Sequence, residues 1–178
     1  MAAYLSKQRW NTLGTYTVYK YLPLEFTVEP QSTQMYSWFG DQVFELEQND
    51  YTFNYHKYGL DPDFFLEDEY LQALLEVTAI SRLDDGTPFV ASYEGKDGLP
   101  FFGTQYHPEK PVTGFYSKSK GYHEWEQIRM NKVFIERFVY GARHNTQKFS
   151  WYYSEIQDHI IENYELVKDE DGNFMYAF

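Results

Sequence analysis

The chain has 178 residues, 43% of them hydrophobic and 21% aromatic, no cysteine, and a formal net charge of −12. Such a length fits one domain with its own core, and such an aromatic content excludes an intrinsically disordered chain. The charge excludes nucleic acid and anionic membrane surfaces, which need a basic footprint, and the missing thiols exclude disulfides and thiolate metal sites.

No apolar run approaches the ~20 residues of a membrane span, and Met1 to Trp10 lacks the apolar centre of a secretory signal. Residues 1 to 15 are mixed and polar and are expected to form a loosely held lead-in. Thr15 to Phe26 alternates and is rich in Tyr, Val and Thr, which predicts a strand interrupted at Pro23. Between residues 31 and 47, Met35, Phe39, Val43 and Leu46 are spaced for one helical face, with Gly40 and Asp41 dividing the stretch into two short pieces. Tyr51 to Leu60 reads as an aromatic strand containing Phe53, His56 and Tyr58. A His on such a strand is more often a satisfied core or edge residue than a ligand contact.

Asp61 and Pro62 predict a helix start, with Asp as cap and Pro in the first position. Behind them come Glu67, Asp68 and Glu69, expected to be a solvated face at the favourable dipole end, and an apolar stripe of Tyr70, Leu71, Leu74 and Leu75. Val77 to Leu83 and Thr87 to Tyr93 flank Asp84-Asp85-Gly86, a hairpin signal.

Phe101 to Tyr106 is a short aromatic run punctuated by Pro and Gly, read as a buried strand, and it stops at His107-Pro108-Glu109. Pro108 biases His107 toward an extended backbone. Residues two apart in an extended chain point the same way, so the imidazole and the Glu109 carboxylate are expected to converge past the strand end. A His oriented by a carboxylate is the base half of a nucleophile–base–orienter triad; the plainer reading is a strand-end His beside a solvated carboxylate.

Pro111 to Gly121 is a polar insertion, read as a loop. Glu124 to Asn145 predicts a long helix with Trp125, Ile128, Ile135, Val139 and Ala142 as its apolar stripe, broken by Lys132. Ile160 to Val167 and Asn173 to Phe178 read as a closing hairpin, with a solvated acidic run at 169–171. His123, His144 and His159 match no zinc spacing and are expected at the surface. Ser117 and Ser119 lack the strained elbow of a serine nucleophile, and the tyrosines are expected to serve core packing. No metal or other cofactor is expected.

Gly103-Thr-Gln-Tyr-His107-Pro-Glu109-Lys110 is similar to the Gly-x-Gln-(aromatic)-His-Pro-Glu-Lys segment of class I glutamine amidotransferase-like proteins, and within that family it most resembles the gamma-glutamyl hydrolases. Leu22-Pro-Leu-Glu-Phe-Thr27, Phe53-Asn-Tyr-His-Lys57 and the helix from Asn131 to Arg143 resemble further segments of the same family. The resemblance implies an α/β three-layer fold with a mixed sheet flanked by helices. Residues 21–178 would form its C-terminal portion and residues 1–20 a lead-in outside the resemblance, with the half that bears the nucleophile elbow absent.

The resemblance also implies roles: His107 as general base and then acid, Glu109 as its orienter, and His56 beside the substrate cleft. In the family this pair serves a cysteine in a Gly-x-Cys-x-Gly elbow, so the nucleophile is expected in a missing N-terminal segment or in a partner chain. The implied substrate is a folyl poly-gamma-glutamate, and the implied compartment is lysosomal, vacuolar or secreted. One rival is a catalytically inactive pseudo-hydrolase kept as a structural or binding subunit of a larger assembly or oligomer, since a sheet lacking its elbow half leaves an edge to be covered. The other is a true glutamine amidotransferase domain delivering ammonia, which Lys110, the later Glu124-Trp125 pair and the closing hairpin disfavour.

Overall fold

Period-two alternation organises the computed structural model, which describes residues 2–7, 13–113, 124–147, 160–168 and 174–177. The chain divides into two units, residues 1–143 and 144–178.

In the first unit, helix α1 (Ala2–Leu5) precedes β1 (Leu13–Leu22), which stops at Pro23, a residue with no N–H to give to a ladder. A two-residue strand β2 (Glu25–Phe26) follows. β1 pairs antiparallel with β3 (Thr52–Leu60), from Leu13 opposite Leu60 to Leu22 opposite Thr52, with a register shift between Thr15 and Val18. β4 (Leu75–Arg82) and β5 (Pro88–Gly95) form the expected hairpin. Gly86 takes a left-handed φ of 87° in its turn, and the Asp85 carboxylate accepts the Thr87 N–H at 2.9 Å. With β6 (Phe102–Thr104), they build a sheet of order β2-β4-β5-β6. Every strand pairing among the described residues is antiparallel.

β5 is buried on both faces, through Phe89, Val90, Ala91, Ser92 and Glu94. Ala79 of β4 and Ala91 of β5 give a flat floor on which Met35, Phe39, Val43 and Leu46 pack. That is the face read from spacing. It is carried by a 3₁₀ segment, Ser37–Phe44, running into α2 (Glu45–Gln48). The break falls at Gly40, whose φ of 55° and ψ of −141° suit only glycine.

The helix expected after Asp61 is two helices, α3 (Pro62–Glu67) and α4 (Glu69–Leu74). Asp61 caps the first as anticipated, accepting from the N–H groups of Asp63 and Phe64. Asp68 then leaves the helical conformation and caps the second, accepting from Tyr70 and Leu71 at 3.0 and 3.1 Å and from the Ser6 hydroxyl at 2.6 Å. At 7% exposure it is a buried cap, where a solvated face was expected. Burial pushes its carboxyl up, but the Ser6, Leu71 and Tyr70 donors outweigh that and hold it below its ordinary value. The same bond ties down the start of the chain, where Ala2 and Ser6 are buried, so these residues are not a loose lead-in. Of the apolar stripe, only Leu71 and Leu75 are buried, and Leu75 already belongs to β4.

A short helix α5 (Glu109–Thr113) precedes α6 (Trp125–Arg143), which buries Gln127, Met130, Asn131 and Phe134. The expected stripe lies elsewhere on the helix, with Trp125 71% and Val139 40% exposed. Two of the buried residues are polar and dock through their amide nitrogens: Asn131 Nδ2 donates to the Tyr51 carbonyl at 2.8 Å, and Gln127 Nε2 to that of Asp50 at 3.3 Å, while Asn131 Oδ1 and Gln127 Oε1 are buried without a hydrogen-bond partner. Polar groups that dock a helix onto a loop are invisible to a count of apolar periods. Among the described residues no helix is long and apolar enough to cross a membrane.

In the second unit, β7 (Glu165–Lys168) and β8 (Phe174–Ala177) form the expected closing hairpin. His144 is exposed. Residues 114–121 of the polar insertion, with Ser117 and Ser119, lie outside the described residues, as do His123, His159 and the acidic run at 169–171.

Replacing Asp68 by Ala removes a cap and an acceptor of the Ser6 hydroxyl. A loss of about 2 kcal/mol is expected, seen as a lower denaturant midpoint at unchanged slope. Glu67→Gln at the exposed neighbouring position should stay within about 0.5 kcal/mol.

Candidate functional site

β6 is a half-buried edge strand, not the buried one expected, and its Gly103 lies so close to Tyr93 that a Cβ there would overlap the ring. Burial becomes complete only at Tyr106, 2% exposed, whose hydroxyl lies 3.1 Å from that of Tyr36. Tyr36 in turn bonds Ser92 at 2.6 Å, and burial pushes its phenol up to about 12. Gln105 N–H still donates to the Ala91 carbonyl at 2.8 Å. Two residues on, His107 N–H donates to the Phe53 carbonyl of β3, also at 2.8 Å. The segment therefore crosses from one sheet to the other just where His107 emerges.

Pro108 makes a turn and Glu109 opens α5, with the Lys110 N–H reaching back to the His107 carbonyl at 3.3 Å. This turn, in place of the extended backbone expected, brings the two side chains together: His107 Nδ1 lies 2.9 Å from Glu109 Oε1. The other ring nitrogen, Nε2, lies 3.4 Å from the Tyr55 carbonyl oxygen. Both side chains are open to solvent, at 36% and 50% exposure.

The two partners are both acceptors, and that decides the electrostatics. A neutral imidazole has one N–H, so a ring donating to Glu109 turns its Nε2 lone pair toward the Tyr55 oxygen; the imidazolium satisfies both. The Glu109 hydrogen bond raises the His107 pKa above its ordinary 6.5, assisted by the Glu109 charge and Tyr55 and opposed by burial and Lys110. Burial pushes the Glu109 carboxyl up, but the His107 hydrogen bond and the charges of His107 and Lys110 bring it net below its ordinary value.

His56 sits on β3 opposite Val18, with its ring turned inward. Its Nε2 lies 3.1 Å from Oδ1 of the buried Asn54, and its ring meets the edge of Phe89 at 5.3 Å between centroids. Its Nδ1 is buried without a hydrogen-bond partner. Burial lowers its pKa, smaller upward pulls come from the Tyr16 and Tyr58 backbone, and the His107 charge lowers it further. The fold thus brings His56 within electrostatic reach of His107 without a bond between them. Among the described residues no group of three or more His, Asp or Glu side chains could hold a metal ion.

Backbone carbonyls at Phe53 and Tyr55 are the partners that sequence reading missed, because a carbonyl has no residue-type signature. The tyrosines also divide. Tyr16, Tyr36 and Tyr106 are buried as expected, while Tyr19, Tyr55 and Tyr58 are more than half exposed beside the site.

Titration by NMR should place the His107 imidazole above 6.5 and that of His56 below it. Glu109→Gln should move His107 down. Because the folded value of His107 is the higher one, its contribution to stability is full below about 6.5 and is lost as pH rises through the folded value; the Gln variant should flatten that dependence.

A family model for the class-I glutamine amidotransferases matches residues 23–118. The chain is similar to gamma-glutamyl hydrolase of Mus musculus, 26% identical over 166 residues that make up 93% of this chain and 52% of the relative. It is likewise similar to the gamma-glutamyl hydrolases of Homo sapiens, 28% identical with 90% of this chain and 49% of the relative covered, and of Rattus norvegicus, 28% identical with 88% and 44% covered. The chain spans about half the length of these relatives. With more than half of its own length matched by the family model, the chain belongs to the class-I glutamine amidotransferase family and has that family's open α/β fold.

Proposed function

We propose that residues 21–178 are the base-bearing portion of a gamma-glutamyl hydrolase, cleaving the gamma-linked amides of folyl poly-gamma-glutamates. The observation that carries this reading is the His107–Glu109 pair, 2.9 Å apart and solvent-accessible, on the segment most like the family's. Glu109 holds Nδ1 and stabilises the cation, which leaves Nε2 as the nitrogen that exchanges protons with the reactants. In the first step a thiol gives its proton to Nε2 and attacks the gamma-carbonyl carbon. Collapse of the tetrahedral adduct breaks the C–N bond, and His107 returns the proton to the leaving amine. In the second step His107 takes a proton from water, which attacks the thioester and releases the acid and the thiol. His56 serves the substrate side of the cleft in this reading, as the likeness of the Phe53–Lys57 segment to the family's implies.

The thiol has to come from outside these 178 residues, which contain no cysteine. That same observation favours a second reading, in which the chain is an inactive binding or structural subunit.

The isolated 178-residue chain should release no glutamate from a gamma-linked polyglutamate. Protein captured with this chain from its native source should do so, and should lose the activity to thiol alkylation and, by roughly 10²–10⁴-fold, to His107→Ala. Turnover by the isolated chain would sink the split-site reading. Inert native material would favour the binding subunit.

A further inference from the structure

Helix α6 has two faces, and the more polar one is inside. Its buried residues are Gln127, Met130, Asn131 and Phe134. About a third of a turn away runs a stripe of Trp125, Ile128, Lys132, Ile135, Val139 and Ala142, spaced alternately three and four residues apart. Trp125, Val139 and Ala142 are exposed, and Ile128 and Ile135 are only half-buried. An amphipathic helix ordinarily turns such a stripe to its own core. Here the core takes the amide-bearing face and the stripe stays at the surface. Its mean period of 3.5 residues is the one that keeps two helices in contact along a seam.

The stripe is complementary to itself. Turned end for end against a second copy, it sets Trp125 on the partner's Ala142, Ile128 on the partner's Val139 and Lys132 on the partner's Ile135. The bulkiest residue meets the smallest, so the two helices can approach to the roughly 8–10 Å of packed axes. Charge matches as well. Lys132 pairs with Glu136 of its own helix at 3.0 Å, and both side chains are more than half exposed. In the antiparallel arrangement each ammonium also comes beside the partner's Glu136, so two lysines and two glutamates alternate around the axis. A lysine at one seam position costs affinity and fixes register.

We propose that this stripe is an interface between two copies of the chain, paired antiparallel about a two-fold axis that passes between Lys132 and Ile135. The inference does not rest on the hydrolase reading. An unrelated partner would need only a surface that fits its own, whereas this stripe matches itself in both size and charge. Contact along one helix is a small interface, so the dimer is weak and concentration-dependent.

Sedimentation velocity of the 178-residue chain over a wide concentration range should show a monomer passing into a dimer of twice the chain mass. Val139→Glu places a carboxylate at an exposed seam position, where the monomer keeps its fold, and should weaken association by about tenfold or more. Lys132→Glu and Glu136→Lys should each self-associate about tenfold more weakly than the parent. A mixture of those two variants should pair as tightly as the parent, because each then meets the opposite charge. The chain has no cysteine, so introduced thiols report the register. Trp125→Cys combined with Ala142→Cys should give disulfide-linked dimers on oxidation, since the two positions lie about 25 Å apart along one helix and adjacent across the pair. Ala142→Cys alone should not. A monomer at every concentration overturns the proposal, as does a dimer that Val139→Glu leaves intact or that Ala142→Cys alone locks. A mixture of the two charge variants that pairs no more tightly than its components overturns it too.

Discussion

The free edge of β3 is the constraint on which the site depends. β1 occupies one edge of this strand, and the carbonyls of Phe53 and Tyr55 on the other need partners. The Phe53 oxygen takes the backbone N–H of His107, and the Tyr55 oxygen faces its ring. The bond that completes the strand is therefore the bond that positions the imidazole. A shift of the 105–107 segment would leave the Phe53 carbonyl unpaired as well as move the histidine, so strand edge and site stand or fall together.

What holds that segment is a buried polar network with its ends in four parts of the chain. Tyr106 meets Tyr36, Tyr36 meets Ser92, and Ser92 meets Thr78 at 2.8 Å. Beside it the buried Glu94 carboxylate accepts the N–H groups of Gln34 and Met35 at 3.0 and 3.1 Å, so β5 caps the start of the segment that carries Tyr36. Burial raises the Glu94 pKa, against those donors and the Arg137 charge. A buried donor left without its acceptor costs about 1–3 kcal/mol, more than the net gain of the bond it loses, which makes such a network rigid as a unit. Rigidity here is delivered one residue before His107.

Much of this was legible in the sequence where a local rule and the global fold agree. Alternation gave β1, β3 and the β4–β5 hairpin, because each strand packs one face in its own period. Asp61 before Pro62 marked a helix start because cap and first-turn chemistry are local. The convergence of His107 and Glu109 was legible for the right residues through the wrong backbone: a turn at Pro108 replaces an extended strand. What stayed hidden depends on partners distant in the chain. Asp68 reads as one of three exposed acids until Ser6 is beside it. The buried face of α6 is half amide, and its docking partners are carbonyls of Asp50 and Tyr51. The exposed rings of Tyr19 and Tyr55 read as core because aromatic strands usually are.

Charge resolves a tension in the functional reading. A polyglutamate carries many carboxylates, and a chain of net charge −12 would seem to repel it. Screening confines that repulsion to about 8 Å at physiological ionic strength, so the local charges decide. Around His107 they are the ring itself, biased toward the cation, Glu109 engaged with it, and Lys110. Arg129, by contrast, is already engaged by Glu126 and Glu45 on the side of α6 that meets α2. With Glu109 neutralised by its partner, the near field at the site is positive while the far field is negative. That arrangement admits an anion at short range and gives it no attraction from afar, so capture has to rest on contact.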